Sequence, residues 1–167
     1  MIRLVFLTTF IALFLGNPAQ LSEPESNDLV GSWHLISIEG HNTDGTVTYD
    51  WGREPVGLLM FGANGRLSFH LLKPERANFA TGDFLRPTPE ELSEAFLGYF
   101  GYFGTYTVDD DAKVVTIHIE GAAYPNYIGS NQRRFFSIDG DRLTLRTPPE
   151  RAGGEDITYY VIWERDS

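Results

Sequence analysis

The sequence predicts an all-β domain, an antiparallel barrel or sandwich of about nine strands with one α-helix placed mid-chain. Three observations carry that prediction. Short runs of alternating apolar and polar residues recur at even spacing along the chain. Turn-forming Gly, Asn and Asp residues separate them. A single segment carries the residues that start a helix. A barrel is the arrangement that leaves no unpaired strand edge.

Gly31 to Glu39 (GSWHLISIE) reads as the first strand, ended by the turn His41–Gly45 with its Asp44-Gly45 pair. Thr46 to Tyr49 is a short second strand, and Trp51 to Pro55 a loop. Val56 to Phe61 (VGLLMF) and Arg66 to Leu72 (RLSFHLL) form a hairpin across Gly62-Ala63-Asn64-Gly65. After the break set by Pro74 and Pro87 comes the helix signal. Thr88 is the N-cap, Pro89 occupies the first helical position, and Glu91 completes a capping box. Leu92, Phe96, Tyr99 and Phe103 recur at helical spacing and predict an apolar helix face, with glycines at 98, 101 and 104 weakening its end. Thr105 to Val108, Lys113 to Glu120, Gln132 to Ile138, Arg142 to Thr147 and Ile157 to Arg165 complete the strands. Asp139-Gly140-Asp141 marks a second hairpin, and Pro148 to Asp156 a loop.

The chain has 167 residues, with 13 Lys+Arg against 23 Asp+Glu and a net charge of −10. Hydrophobic residues at 42% suffice for a packed core. The acidic balance argues against nucleic acid as a partner, because basic residues supply most of that affinity. With no cysteine, disulfides, Cys-ligated zinc, iron–sulfur clusters, thiol nucleophiles and lipid attachment at an N-terminal Cys are excluded. The N-terminus has the order of a secretory signal: Arg3, an apolar run Leu4 to Leu15, then Gly16-Asn17-Pro18-Ala19. Twelve apolar residues fall short of the ~20 a spanning helix needs. The expected division is a signal peptide over 1–19 with cleavage after Ala19, a flexible lead-in over 20–28, and one barrel domain over 29–167. An uncleaved N-terminal anchor is the alternative. Once the signal is removed, no stable membrane span is expected, and the location is extracytoplasmic, secreted or periplasmic.

Several stretches resemble a known family. Leu29-Val30-Gly31-Ser32-Trp33 is similar to the Gly-x-Trp opening of lipocalin-type barrels. Gly57 to Phe61 before Asn64-Gly65, Phe100 to Tyr106, His118 to Gly121, Pro125-Asn126, Gly129 with Arg134-Phe135, Asp141 to Leu145, and Val161 to Arg165 resemble the lipocalin-like domain proteins of bacteria and fungi. Together they span nearly all of residues 29–165. The resemblance implies a calycin-type, antiparallel up-and-down β-barrel of about 8–9 strands enclosing a cavity. A mid-chain helix departs from other lipocalins, which carry theirs near the C-terminus. Fold likeness alone does not set function.

Candidate chemistry centres on Lys113 to Glu120. Val115, Ile117 and Ile119 share one strand face, and Thr116, His118 and Glu120 the other. His118 and Glu120 therefore point the same way, roughly 7 Å apart. Facing inward, they would form a polar pair able to shuttle a proton; facing outward, they are solvated surface residues. Of Arg133 and Arg134 on the following strand, one must point each way; Arg134, if on the His118 side, would neutralise Glu120 or grip a ligand carboxylate, or else make a surface ion pair. The loop bearing Tyr124, Pro125, Asn126 and Tyr127 would gate a barrel mouth, or pack its rings on the rim. His70 shares a face with Ser68 and would join His118 in the cavity. His34 and His41 read as surface residues. Tyr99 and Phe103 are expected in the core, with Phe100 and Tyr102 as a structural plug or a lid. Four scattered histidines without metal-ligand spacing predict no metal site, and no cofactor fingerprint is present.

Two main functions follow. The first is an extracytoplasmic protein binding a small hydrophobic ligand through His70, Tyr102, His118, Glu120, Tyr124, Asn126 and Arg134. The second is a cofactor-independent isomerase, cyclase or hydratase that uses the same cavity with His118 and Glu120 as catalytic proton carriers. A filled barrel with a structural or partner-binding role is a third. Oligomeric state is left open by the sequence.

Overall fold

The computed structural model describes residues 27–166. The signal and most of the lead-in expected over residues 1–28 lie outside that range. Ten strands form one sheet: β1 (Gly31–Asn42), β2 (Val47–Thr48), β3 (Val56–Phe61), β4 (Arg66–Leu72), β5 (Tyr99–Asp109), β6 (Val114–Ala122), β7 (Asn131–Asp139), β8 (Arg142–Arg146), β9 (Glu150–Ala152) and β10 (Glu155–Arg165). Each strand pairs antiparallel with its neighbour, and β1 also pairs with β10 from Trp33↔Arg165 to Asn42↔Ile157. That last pairing closes an antiparallel barrel of eight strands, with β2 and β9 as short additions on β1 and β10. Closure removes the long edges an open sheet would expose.

The alternation read from the sequence is what fills the barrel. Leu67, Phe69 and Leu71 on β4, Val115, Ile117 and Ile119 on β6, and Leu143 and Leu145 on β8 are all buried inward. One end is sealed. Leu29, in a short 3-10 turn (Asn27–Leu29), and Trp33 are fully buried there. Trp33 Nε1 donates to the Leu29 carbonyl at 2.9 Å. Arg165 lies over the Trp33 ring at 4.0 Å and donates from Nη1 to the Val30 carbonyl at 2.8 Å. The first and last strands are thereby stapled across the floor by a cation–π contact and hydrogen bonds. The hairpins at Gly65 and Gly140 turn at this end with φ of 74° and 58°, values that favour glycine.

The helix is real but shorter than its apolar spacing predicts. α1 (Pro89–Leu97) starts with the expected capping box: Thr88 accepts from the Glu91 amide while Glu91 accepts from the Thr88 amide. It ends at Gly98, and Tyr99 begins β5. The helix buries none of its residues; Leu92 and Phe96 stay more than half exposed. Tyr99 and Phe103, expected on a buried helix face, instead stand on the outer face of β5, Phe103 at 50% exposure. Phe100 and Tyr102, expected as a plug or a lid, are wall residues of the barrel interior. Period two won over period 3.6 because β5 can pair along both flanks, with β4 and β6. Gly104 belongs to this strand: a Cβ there would collide with the His118 carbonyl at the register shift between β5 and β6. No helix among the described residues is long and apolar enough to cross a membrane.

Candidate ligand cavity at the open end

Opposite the Trp33 floor the barrel is open. Here β4 ends, β5 and β7 begin, and β8 to β10 bend over the mouth. Between them lies a cavity of about 230 Å³. Ile38, Phe69, Leu71, Leu145 and Val161 form its aliphatic and aromatic depth. Trp51, Phe100, Tyr102, Tyr127 and Tyr159 ring its upper part. The rings brace one another: Tyr102 stacks on Phe69 at 4.7 Å with planes 4° apart, and Phe100 meets Tyr127 edge-on at 5.6 Å. Rings held by other rings give flat, preformed walls at small entropic cost.

Arg134, Thr147, Glu150 and Arg151 interrupt this wall. Arg134, on β7, is 7% exposed and points inward. Its Nη1 sits 3.2 Å from Glu150 Oε1, at the start of β9, and donates to the Arg133 carbonyl at 2.8 Å. Tyr127 donates its hydroxyl proton to Glu150 Oε2 at 3.3 Å. Burial, then the negative charge of Glu150, pushes the Tyr127 phenol up to about 12. Burial also raises Tyr102, an effect that the nearby Arg134 charge partly offsets. Tyr159 is raised by burial and by the carboxylates of Asp50 and Glu150. At neutral pH these phenols are therefore uncharged donors around one ion pair. Thr147 is buried beside them, but its hydroxyl oxygen is occupied by the Tyr159 amide at 3.0 Å.

The candidate residues read from the sequence fall into three places. Tyr102 and Arg134 line the cavity. Tyr124 and Asn126 are exposed in the rim loop, and neither lines this cavity; Tyr124 packs edge-on against Tyr127 at 5.4 Å. His70, His118 and Glu120 stand on the outer surface of the barrel. His118 and Glu120 do share a face, as their spacing requires, but that face meets solvent. His118 Nδ1 hydrogen-bonds Asn131 Oδ1 at 3.0 Å, and Glu120 pairs with Arg66 at 2.8 Å. His70 hydrogen-bonds Ser68 and Tyr99, each at 2.8 Å. The sheet wall separates all three from the cavity, so they cannot pass a proton to a molecule held inside. Arg134 is likewise not on the His118 side. It pairs in register with inward Val115, while Arg133 pairs with Thr116 on the outer face.

Tyr127, Glu150, Tyr159, Trp51 and Phe100 are the cavity residues that sequence reasoning did not place in the site. Tyr127 lay in a loop already singled out. Glu150 lay in a Pro- and Gly-rich stretch with no periodicity to orient it; that stretch forms β9. The expectation of a pure loop there is corrected by its pairing with β10. Among the described residues no group of three or more His, Cys, Asp or Glu side chains converges as a metal site would need.

The chain is similar to known proteins. A curated relative, the 4'-hydroxy-3'-methoxypropiophenone carrier protein ppsC of Aspergillus oryzae, is 32% identical over 106 residues, 59% of this chain and 96% of the relative. The crystal structure of a lipocalin-like protein from Bacteroides uniformis aligns with 83% of this chain and 99% of its own, at 17% identity and a TM-score of 0.41. The sequence model of the lipocalin-like domain matches residues 30–166, the whole barrel, and the chain belongs to the lipocalin-like domain family.

Proposed function

We propose that this protein is an extracytoplasmic carrier that binds one small, ring-containing hydrophobic molecule in the open end of its barrel. The observation that carries the reading is the aromatic-walled cavity in which a buried Arg134 is paired with the half-buried Glu150. Its volume of about 230 Å³ sets the scale of the ligand. An apolar cavity of about 150 Å³ already holds a benzene ring, so one substituted ring fits here and a long acyl chain does not. Mostly apolar walls with a few convergent polar groups are what small-molecule sites share. The name of the Aspergillus relative, a carrier of an aryl ketone, supports the same ligand size and type. The Arg3–Ala19 pattern supports export.

Propiophenone and its ring-substituted derivatives are the first probes, titrated against the purified barrel by calorimetry. One-to-one binding is expected, and Phe100→Trp should weaken it by crowding the mouth. Failure of every single-ring ketone to bind, together with no small molecule on organic extraction of the native protein, would refute the carrier reading. Expression of the full chain in a secreting host tests the location separately. The expected product is an extracytoplasmic protein whose mass begins at Gln20; retention of Met1 in the cytoplasm would refute export.

A further inference from the structure

The polar end of the cavity carries information about the ligand's head group, on the premise that the cavity binds a ring. Arg134 and Glu150 cancel each other's charge. At the rim, Arg151 is likewise paired with Asp156 at 3.3 Å. Asp50 adds further negative charge on the Tyr159 side. Both arginines that line the cavity are thus paired, which leaves no spare positive charge in its wall to neutralise an anion. It does have unused hydrogen-bonding capacity of both kinds. Among the described residues, Nη1 of Arg134 makes the guanidinium's one hydrogen bond, to the Arg133 carbonyl, and the remaining N–H groups have no protein acceptor. Glu150 receives the long Tyr127 bond on Oε2 and the Arg134 contact at 3.2 Å on Oε1, so each oxygen keeps an open lone pair.

We propose that the Arg134–Glu150 pair selects neutral, hydroxyl-bearing rings. The ligand hydroxyl donates to the Glu150 carboxylate and accepts from the Arg134 guanidinium. A hydroxyl does both from a single oxygen atom. A ketone or ether oxygen can only accept. A carboxylate can only accept, and it brings a second negative charge against Glu150 in a poorly solvated site. Selectivity thus rests on a match of donor and acceptor with charge neutrality, not on an arginine clamp for acids.

Three probes of one shape test this at mildly acidic pH: propiophenone, para-hydroxypropiophenone and para-propionylbenzoate. The hydroxylated ring should bind about tenfold or more tightly than propiophenone, the effect of a hydrogen bond to a charged group. The benzoate should bind more weakly than propiophenone. In Glu150→Gln, Arg134 loses its counter-charge, and the order should invert so that the benzoate binds best. The wild-type series alone decides the matter if that variant fails to fold. If propiophenone binds but the hydroxyl adds nothing, or if wild type prefers the benzoate, this head-group assignment is overturned while the carrier reading stands. If none of the three binds, the carrier reading itself has failed.

Discussion

Replacing Trp33 tests the sealed floor most directly. The side chain is fully buried, its indole N–H is spent on Leu29, and Arg165 covers its face at 4.0 Å. Trp33→Ala removes a large packed side chain at a point where β1, β10 and the Asn27–Leu29 turn meet, so neighbours cannot collapse into the space without unseating the strand ends. Truncations of this kind cost ~3–5 kcal/mol. Against a typical domain stability of about 5–15 kcal/mol, that loss is severe. Trp33→Phe separates the causes: it keeps most of the packing and the ring face for Arg165 but drops the hydrogen bond, and should cost about 1–2 kcal/mol. Urea unfolding followed by far-ultraviolet circular dichroism reads both, since the backbone signal does not depend on the tryptophan removed. The midpoint should fall at unchanged slope. A cost below about 1 kcal/mol for Trp33→Ala would refute the account of the floor, because a residue of that size and burial can only be that cheap if the barrel closes without it.

Other consequences are smaller or local. His118→Ala should leave propiophenone affinity unchanged and shift stability by no more than about 0.5 kcal/mol, the usual range for an exposed site; a loss of binding on calorimetry would contradict its placement outside the wall. Glu150→Ala should destabilise by ~1–3 kcal/mol because it strands a buried guanidinium, and Arg134→Met added to it should restore part of that loss in the same urea assay. Tyr127 has its phenol raised from 10 to about 12. The unfolded chain therefore ionises first, and the stabilisation, complete below pH 10, disappears as pH rises toward 12. Alkaline tyrosinate absorbance should show a late-titrating phase that Tyr127→Phe reduces. Glu91, held below its usual value by the Ala80 and Thr88 amides, behaves oppositely. Its contribution is present above pH 4.5 and is lost as pH falls through the lowered value, so the protection factors of the α1 amides, corrected for intrinsic exchange, should fall on acidification, and less so in Glu91→Gln.

The parts of the fold legible in the sequence were those where local chemistry and global closure agree. The hairpin at Asn64-Gly65, the turn at Asp139-Gly140 and the Thr88–Glu91 capping box all appear where their residues demand them. The stretch from Leu92 to Phe103 misled because it satisfies two periods at once. Read every three or four residues it offers Leu92, Phe96, Tyr99 and Phe103; read every two it offers Phe100, Tyr102 and Tyr106. A nine-residue helix lying on the barrel's outside cannot supply the hydrogen bonds that a strand gains from two neighbours, and no local propensity reveals that neighbours will be present.

The site turns on a subtler point, which is parity. Spacing alone establishes that His118 and Glu120 share a face and that Arg133 and Arg134 do not. It leaves open which face is the inside. The hydrophobic partners settle it. Val115, Ile117 and Ile119 are fully buried, so their face is the interior, and His118 and Glu120, at the alternate positions, must stand outside. The antiparallel register then carries that parity across to β7: Val115 faces Arg134, and Thr116 faces Arg133. Arg134 is thus drawn inward by the same alternation that sends His118 outward. An arginine on an interior face cannot remain without a counter-charge. Glu150, brought over the mouth by the β9–β10 pairing, meets that requirement from a segment with no periodic signal of its own. The polar end of the cavity is therefore a consequence of barrel closure, assembled from two stretches of chain that only the closed sheet brings together.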